Sequence, residues 1–157
     1  MKLTLGQVQD TLGLSRDTYR HWRTVILPLS VRKGHRPCFT HGDLLALAIV
    51  KTLVDQFGVQ VRNLDSLARA LFDQCGQHPW TKFERQVAVI YPATWRLMFG
   101  AENQIPQLTG AAIIVPCGPI IASLRAALML EQEEDPQAAL RFPLAAVERR
   151  IVGSDNS

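Results

Sequence analysis

The segment GLSRDTYRHWR, residues 13–23, decides how the N-terminal half of this chain folds. Gly13 suits a tight turn that requires a positive φ, and Ser15 can cap the next helix by accepting a backbone N–H. Three apolar side chains then recur at helical spacing: Tyr19, Trp22 and Ile26. This pattern predicts the turn and the second helix of a helix-turn-helix, with the helix spanning Arg16–Val25.

The other side chains of this helix point away from the apolar stripe. A helix that is anchored by aromatic residues and exposes arginines fits the major groove of DNA. We therefore predict that DNA is contacted by Ser15, Arg16, Asp17, Thr18, Arg20, His21 and Arg23. The alternative is an ordinary solvated surface helix, since basic amphipathic helices are common on protein surfaces.

Positive charge is concentrated in the same part of the chain. Residues 1–41 contain seven Lys or Arg against two acidic residues, a balance of +5, whereas the rest of the chain sums to −2. A local excess of positive charge is the electrostatic footprint of nucleic-acid binding. Double-stranded DNA is therefore the partner that we expect.

The sequence on either side extends this motif. Upstream, Thr4 and Gln7 have the spacing of a capping box, which predicts a first helix that stops at Gly13. Downstream, residues 31–39 read VRKGHRPCF, where a glycine separates two short segments that would pair as a hairpin. A hairpin in this place is a wing, and we predict contacts with phosphates or the minor groove from Arg32, Lys33, His35 and Arg36. The alternative is a basic surface loop.

Two more helices complete the predicted N-terminal domain. Thr40 and Asp43 repeat the capping-box spacing, and the helix that they begin should end at Gly58. Leucines at helical spacing mark a fourth helix, which should end near Gly76.

Residues 3–75 resemble the winged-helix DNA-binding domain of the MerR family of bacterial regulators, because three pieces of the family's pattern occur in order. The recognition stretch is matched by Gly13, Leu14, Ser15, Thr18, Arg20 and Trp22. The end of the wing is matched by Gly34, Arg36, Phe39, Thr40 and Asp43, and the later helix start by Gly58, Val59, Val61 and Leu64. His21 and His35 stand where the family has tyrosines. The resemblance implies a winged helix in which Arg20 takes the place of the family's DNA-contacting arginine.

Residues 77–153 do not follow this family and predict a small α+β module. A β-hairpin is indicated by two alternating sets, Val87, Val89 and Tyr91, then Trp95, Leu97 and Phe99. The apolar run over 112–115 predicts a buried third strand. A long helix follows over 119–133, and a last helix is predicted over 138–151.

The expected fold class is therefore mainly α with a small β component, that is, α+β. The expected domains are a winged helix-turn-helix over 1–76, a dimerisation or effector module over 77–153 and a flexible tail over 154–157. Apolar residues cover more of the circumference of the long helix than packing against one sheet face would bury. This predicts a homodimer that forms through Ile120, Ile121, Leu124 and Leu128. The alternative is that this helix is simply core.

Few features favour any other chemistry. Cys38, Cys75 and Cys117 lie far apart in the sequence, so we expect unpaired cysteines and no metal site. Catalytic and phosphate-binding motifs are missing, so we expect no enzyme and no cofactor. No secretory signal or membrane span is visible, which predicts a cytoplasmic, nucleoid-associated protein.

The function predicted from the sequence is transcriptional regulation in a bacterium or phage, and whether a small molecule acts as effector stays open. One alternative is an excisionase-like or terminase-small-subunit-like factor of mobile DNA, since such factors use the same winged helix. The other is a protein-interaction adaptor that does not bind DNA.

Overall fold

The computed structural model describes residues 2–32, 36–104 and 107–134, which form an α+β fold. The helices are α1 (Leu5–Leu12), α2 (Arg16–Val25), α3 (Leu27–Ser30), α4 (His41–Phe57), α5 (Asp65–Gly76), α6 (Trp80–Phe83) and α7 (Cys117–Glu134), with a 3₁₀ turn at Val61–Asn63. The strands are β1 (Gln86–Tyr91), β2 (Arg96–Ala101) and β3 (Ile113–Pro116). The predicted helix over 138–151 and the tail over 154–157 lie outside the described residues.

Internal contacts group Met1–Leu124 into one compact unit, and a second unit begins at Arg125. The functional boundary that we expect near residue 76 stays a prediction. Within the described residues, no helix is long and apolar enough to cross a membrane.

The capping signals in the first half of the chain are confirmed. The Thr4 and Thr40 hydroxyls each accept a hydrogen bond from the backbone N–H three residues on. In turn, the Gln7 and Asp43 side chains accept a hydrogen bond from the backbone N–H of the threonine. Gly13 and Gly58 adopt the left-handed conformation, with φ of 61° and 65°. Because these signals act over a few residues, they set the ends of α1, α2 and α4 where the sequence predicts them.

The core is built around α4. This helix is buried around most of its circumference, since every residue over 42–50 is buried, as is Leu53. A helix that is apolar on all sides belongs inside a protein rather than on its surface. At its first turn α4 meets the end of α5 so closely that a Cβ on Gly42 would lie 2.3 Å from the Cys75 carbonyl oxygen.

α3 is a short helix that the sequence does not predict. Pro28 stops α2 from continuing, as expected, but it also lies in the first turn of α3, where its missing N–H costs nothing. The Leu27 N–H donates to the Asp65 carboxylate at 3.0 Å, and this bond, with the nearby Arg69, lowers the pKa of Asp65. α3 is thereby attached to the start of α5.

The predicted hairpin strands of the wing are wrong for the flanking residues that the structure describes. On the upstream side Arg32 continues the α3 turn, with its N–H donating to the Leu29 carbonyl at 3.2 Å. On the downstream side Phe39 pairs with Leu3 instead, and the Leu3 N–H donates to the Phe39 carbonyl at 2.7 Å. The flanks therefore have other backbone partners and are not free to pair with each other.

The predicted three-stranded region is confirmed as an antiparallel sheet with the order β2–β1–β3. The third strand is not buried as predicted, because it lies at the edge of the sheet with only Val115 buried. β1 is central and apolar on both faces, with Val87 to Tyr91 buried. Trp95 differs from the prediction: it lies in the turn after Pro92 with a φ of 53°, rather than in β2. α7 follows β3 directly and begins at Cys117, two residues before the predicted start.

The close approach of α4 and α5 yields a stability prediction. Gly42→Ala should lower the free energy of unfolding by roughly 1–3 kcal/mol, because backbone atoms cannot make room for the new methyl group. Gly6→Ala is the matched control, since a Cβ at that exposed helical position would make only an ordinary contact, 3.9 Å from Thr4 Oγ1, and alanine there should add about 0.5–1 kcal/mol. Urea denaturation measures both, and equal midpoints for Gly42→Ala and the wild type would contradict the contact.

Candidate nucleic-acid interface

The turn between α1 and α2 has the geometry that the sequence predicts. The Gly13 N–H donates to the Asp10 carbonyl at 3.3 Å, and the Leu14 N–H donates to the Gln9 carbonyl at 2.8 Å. These bonds satisfy carbonyl groups at the end of α1. Ser15 then accepts the Thr18 N–H at 3.1 Å, so α2 begins two residues after the turn.

Aromatic side chains hold α2 against the rest of the fold. The predicted stripe is confirmed, because Tyr19, Trp22 and Ile26 are all buried. The Tyr19 ring meets Phe39 edge to face, with 6.5 Å between the ring centroids. Burial raises the pKa of Tyr19, so its hydroxyl stays neutral. The orientation of α2 is thus set by its buried face.

The residues of α2 and its cap that are predicted to touch DNA are all exposed: Ser15, Arg16, Asp17, Thr18, Arg20, His21 and Arg23. The Ser15 hydroxyl also donates to Thr18 Oγ1 at 2.8 Å, which leaves the Thr18 hydroxyl proton free to donate outward. Asp17 lies in the first turn, where the helix dipole favours a carboxylate.

Three of these residues share one cleft. Arg16, Arg20 and Arg23 line a cavity of ≈ 440 Å³ together with Tyr19 and with Leu5, Gly6 and Gln9 of α1. We call this the arginine cleft. In the part of the chain that the structure describes, none of the three arginines forms an ion pair. Their charge is therefore not neutralised within the fold and is available to an anionic partner.

Arg32 has a different position from the one predicted. Its guanidinium pairs with the Asp43 carboxylate at 2.8 Å, and it donates to the Cys38 carbonyl at 2.6 Å and the Pro28 carbonyl at 3.2 Å. The guanidinium carbon also lies 5.1 Å from the centre of the Phe39 ring. These contacts occupy the guanidinium of Arg32, whose side chain is 22% exposed, so we leave it out of the interface proposed below.

The other predicted wing residues fall into two groups. Arg36 is exposed. Lys33 and His35 lie outside the described residues, so their contribution stays a prediction.

The four residues predicted to pair two subunits are only partly available. Ile121 and Leu124 are 1% and 4% exposed, so they pack in the core of their own chain. Dimerisation would bury no further apolar surface on these two residues. For them the alternative given above, that α7 belongs to the core of its own chain, is the better description. Ile120 and Leu128 are half-buried. Farther along α7, Met129 and Leu130 are 67% and 63% exposed.

The cysteines agree with the expectation of unpaired thiols. Cys75 and Cys117 are buried, and burial raises their thiol pKa values to about 12 and about 11. Thiols with such pKa values are protonated at neutral pH and react slowly. Over the described residues, no group of three or more His, Cys, Asp or Glu side chains is placed to hold a metal ion.

Sequence reasoning missed two features of this region. One is the ion pair of Arg32 with Asp43, whose residues are eleven apart and follow no periodic pattern. The other is the contribution of the first turn of α1 to the arginine cleft. Both are tertiary contacts, and no local signal encodes them.

Comparison with protein-family models, curated proteins and solved structures finds no significant match to this chain.

The position of Asp43 leads to a second stability prediction. Asp43→Ala should cost roughly 2–4 kcal/mol of unfolding free energy, because it leaves the half-buried Arg32 guanidinium without its charge partner and also removes the acceptor of the Thr40 N–H at the start of α4. Asp55→Ala on the same helix removes an exposed partner of Lys51 and should cost about 0–1 kcal/mol. Similar losses for the two variants in urea denaturation would show that the Arg32–Asp43 pair is not important for stability.

Proposed function

We propose that this protein binds double-stranded DNA in a sequence-specific manner through α1 and α2, and that it regulates transcription in a bacterium or phage. The observation that carries this proposal is the arginine cleft beside an exposed helical face. Arg16, Arg20 and Arg23 are unpaired by acids among the described residues, while the buried aromatics hold α2 in place.

The chemistry of the exposed face suits both tasks of such an interface. Arginines neutralise phosphates, which supplies affinity, and an arginine paired with guanine supplies specificity. Thr18 and His21 add hydrogen-bonding groups beside them, and Asp17 can accept from the amino group of cytosine. α2 is ten residues long, enough for its first turns to enter the major groove.

A MerR-like winged helix is part of the same proposal. Support comes from the order of α1, the turn at Gly13 and α2, followed by the short helix α3, a basic stretch of sequence and the long capped helix α4. The described flanks of residues 33–35 do not pair as strands, so in this proposal the wing is anchored at its base by Arg32. Arg36 and Lys33 would then reach phosphates from it.

Homodimerisation completes the proposal. A single helix-turn-helix covers a short half-site, and two-fold dimers that bind two half-sites are the usual way to gain specificity. Exposed Met129 and Leu130 supply apolar surface on α7 for a second copy.

Selection of binding sites from random duplex DNA at low salt tests the function directly. An enriched motif supports sequence-specific binding, and a footprint near a promoter favours the regulator. A footprint at an attachment or packaging site favours a factor of mobile DNA instead. No binding at low salt would refute the proposal and leave the protein-interaction adaptor.

The role of α2 is tested by single substitutions. Arg20→Ala should weaken binding to the selected site by about 1–3 kcal/mol, the value of a paired arginine–guanine contact, while the protein stays folded. Arg96→Ala on β2 is the matched control, since it removes an exposed arginine outside the arginine cleft. Fluorescence anisotropy measures the affinities, and unchanged binding by Arg20→Ala would contradict the assignment.

The dimer is tested with an exposed residue, so that the fold is preserved. Leu130→Asp should give a folded monomer with weakened DNA binding, because a carboxylate in an apolar interface is desolvated without a partner. Leu108→Asp is the control, since Leu108 is also a large exposed side chain, 43% accessible, but not on α7. Sedimentation measures the mass, and a wild-type protein that is monomeric with and without DNA would exclude the dimer.

A further inference from the structure

A second cleft lies within the unit Met1–Leu124. It is formed by the last turn of α1, one face of α4 and the first turns of α7, and its volume is ≈ 350 Å³. We call it the three-helix cleft. Cavities that hold small ligands start at about 300 Å³, so this one has the size for a small metabolite. None of the residues predicted to contact DNA lines it.

The lining of the three-helix cleft has an apolar part. Ala48 and Leu124 are buried, and Leu12 and Ile120 are half-buried at its sides. These side chains come from three different helices. An apolar group that entered the cleft would therefore contact side chains of three helices and lose part of its contact with water.

The polar part of the lining contains an ion pair. Lys51 Nζ lies 2.5 Å from Asp55 Oδ2, and the two side chains are 31% and 52% exposed. Both charges can thus be reached from solvent. The Thr52 hydroxyl beside them donates to the Ala48 carbonyl, so its oxygen lone pairs remain able to accept a hydrogen bond.

This arrangement selects for the charge of the ligand. A ligand with a single charge would compete with one member of the Lys51–Asp55 pair and leave the other without a partner. A zwitterion replaces one ion pair with two, since its carboxylate meets Lys51 and its ammonium meets Asp55. An apolar substituent on the same small molecule would lie against Leu12, Ile120 and Leu124.

We propose that the three-helix cleft binds a free α-amino acid with a large apolar side chain, of the leucine or phenylalanine type. Charge complementarity supplies the orientation, and burial of the side chain supplies the affinity. The site does not depend on the proposed DNA binding, because it uses other residues and a different surface.

Binding is tested on the full-length protein with L-leucine and L-phenylalanine as probes. A ligand that binds only the folded state raises the melting temperature, by about 3 °C for about 10 mM ligand at millimolar affinity. Isocaproate and isoamylamine are the ligand controls, since each keeps the leucine side chain and lacks one of the two charged groups. Both should give little or no shift.

Three substitutions locate the site. Lys51→Gln and Asp55→Asn should each reduce the leucine affinity at least about tenfold in calorimetry, because each removes one charged contact. Ser123→Trp should block the cleft sterically while leaving its charges in place. Arg69→Gln is the matched control, since it breaks a similar exposed pair on α5 outside the cleft and should bind leucine normally.

Several results would overturn the proposal. They are no thermal shift with either amino acid, an equal shift with isocaproate or isoamylamine, and normal leucine binding by Lys51→Gln or Ser123→Trp. None of these measurements uses DNA, so a failure here and a failure of the proposed function are distinguishable.

Discussion

The contact between Arg32 and Asp43 joins three parts of the N-terminal half of the fold. A single guanidinium joins the end of α3, the backbone before Phe39 and the first turn of α4, and its faces lie near Phe39 and Phe72. Asp43 uses the same carboxylate to cap α4 through the Thr40 N–H at 2.8 Å. A charge pair at this depth is stable only when its hydrogen bonds are satisfied, and here neighbouring backbone groups satisfy them.

This contact explains why the described flanks of residues 33–35 do not pair with each other, although the sequence suggests a hairpin. With Arg32 turned inward, the backbone on its downstream side lies against Leu3, and the Cys38 and Phe39 N–H groups both donate to the Leu3 carbonyl. The chain on either side of residues 33–35 is then held by tertiary contacts rather than by a ladder between two strands. Arg36 is exposed next to this anchored base.

The parts of the fold that the sequence predicts are those with local signals. Thr4, Ser15 and Gly13 act within three or four residues, and the apolar spacing of Tyr19 and Trp22 acts within one helix, so the ends and the faces of α1 and α2 follow from the sequence. The inward position of Arg32 depends on residues distant in sequence, so neither charge nor periodicity indicates it. The same holds for Ile121 and Leu124: apolar spacing shows that they are buried, but not whether their own chain or a second copy buries them.

The two clefts give α1 a central place despite its length of eight residues. Its first turn contributes Leu5 and Gly6 to the arginine cleft, and its last turn contributes Thr11 and Leu12 to the three-helix cleft. An α-helix of this length extends about 12 Å, so the two surfaces are at most about two helical turns apart along α1. Only Leu14 and Ser15 separate Gly13 at the end of α1 from the first residue of α2. Because a capped helix moves as a rigid element, neither cleft can change shape at α1 without a change in the geometry that α1 presents to the other.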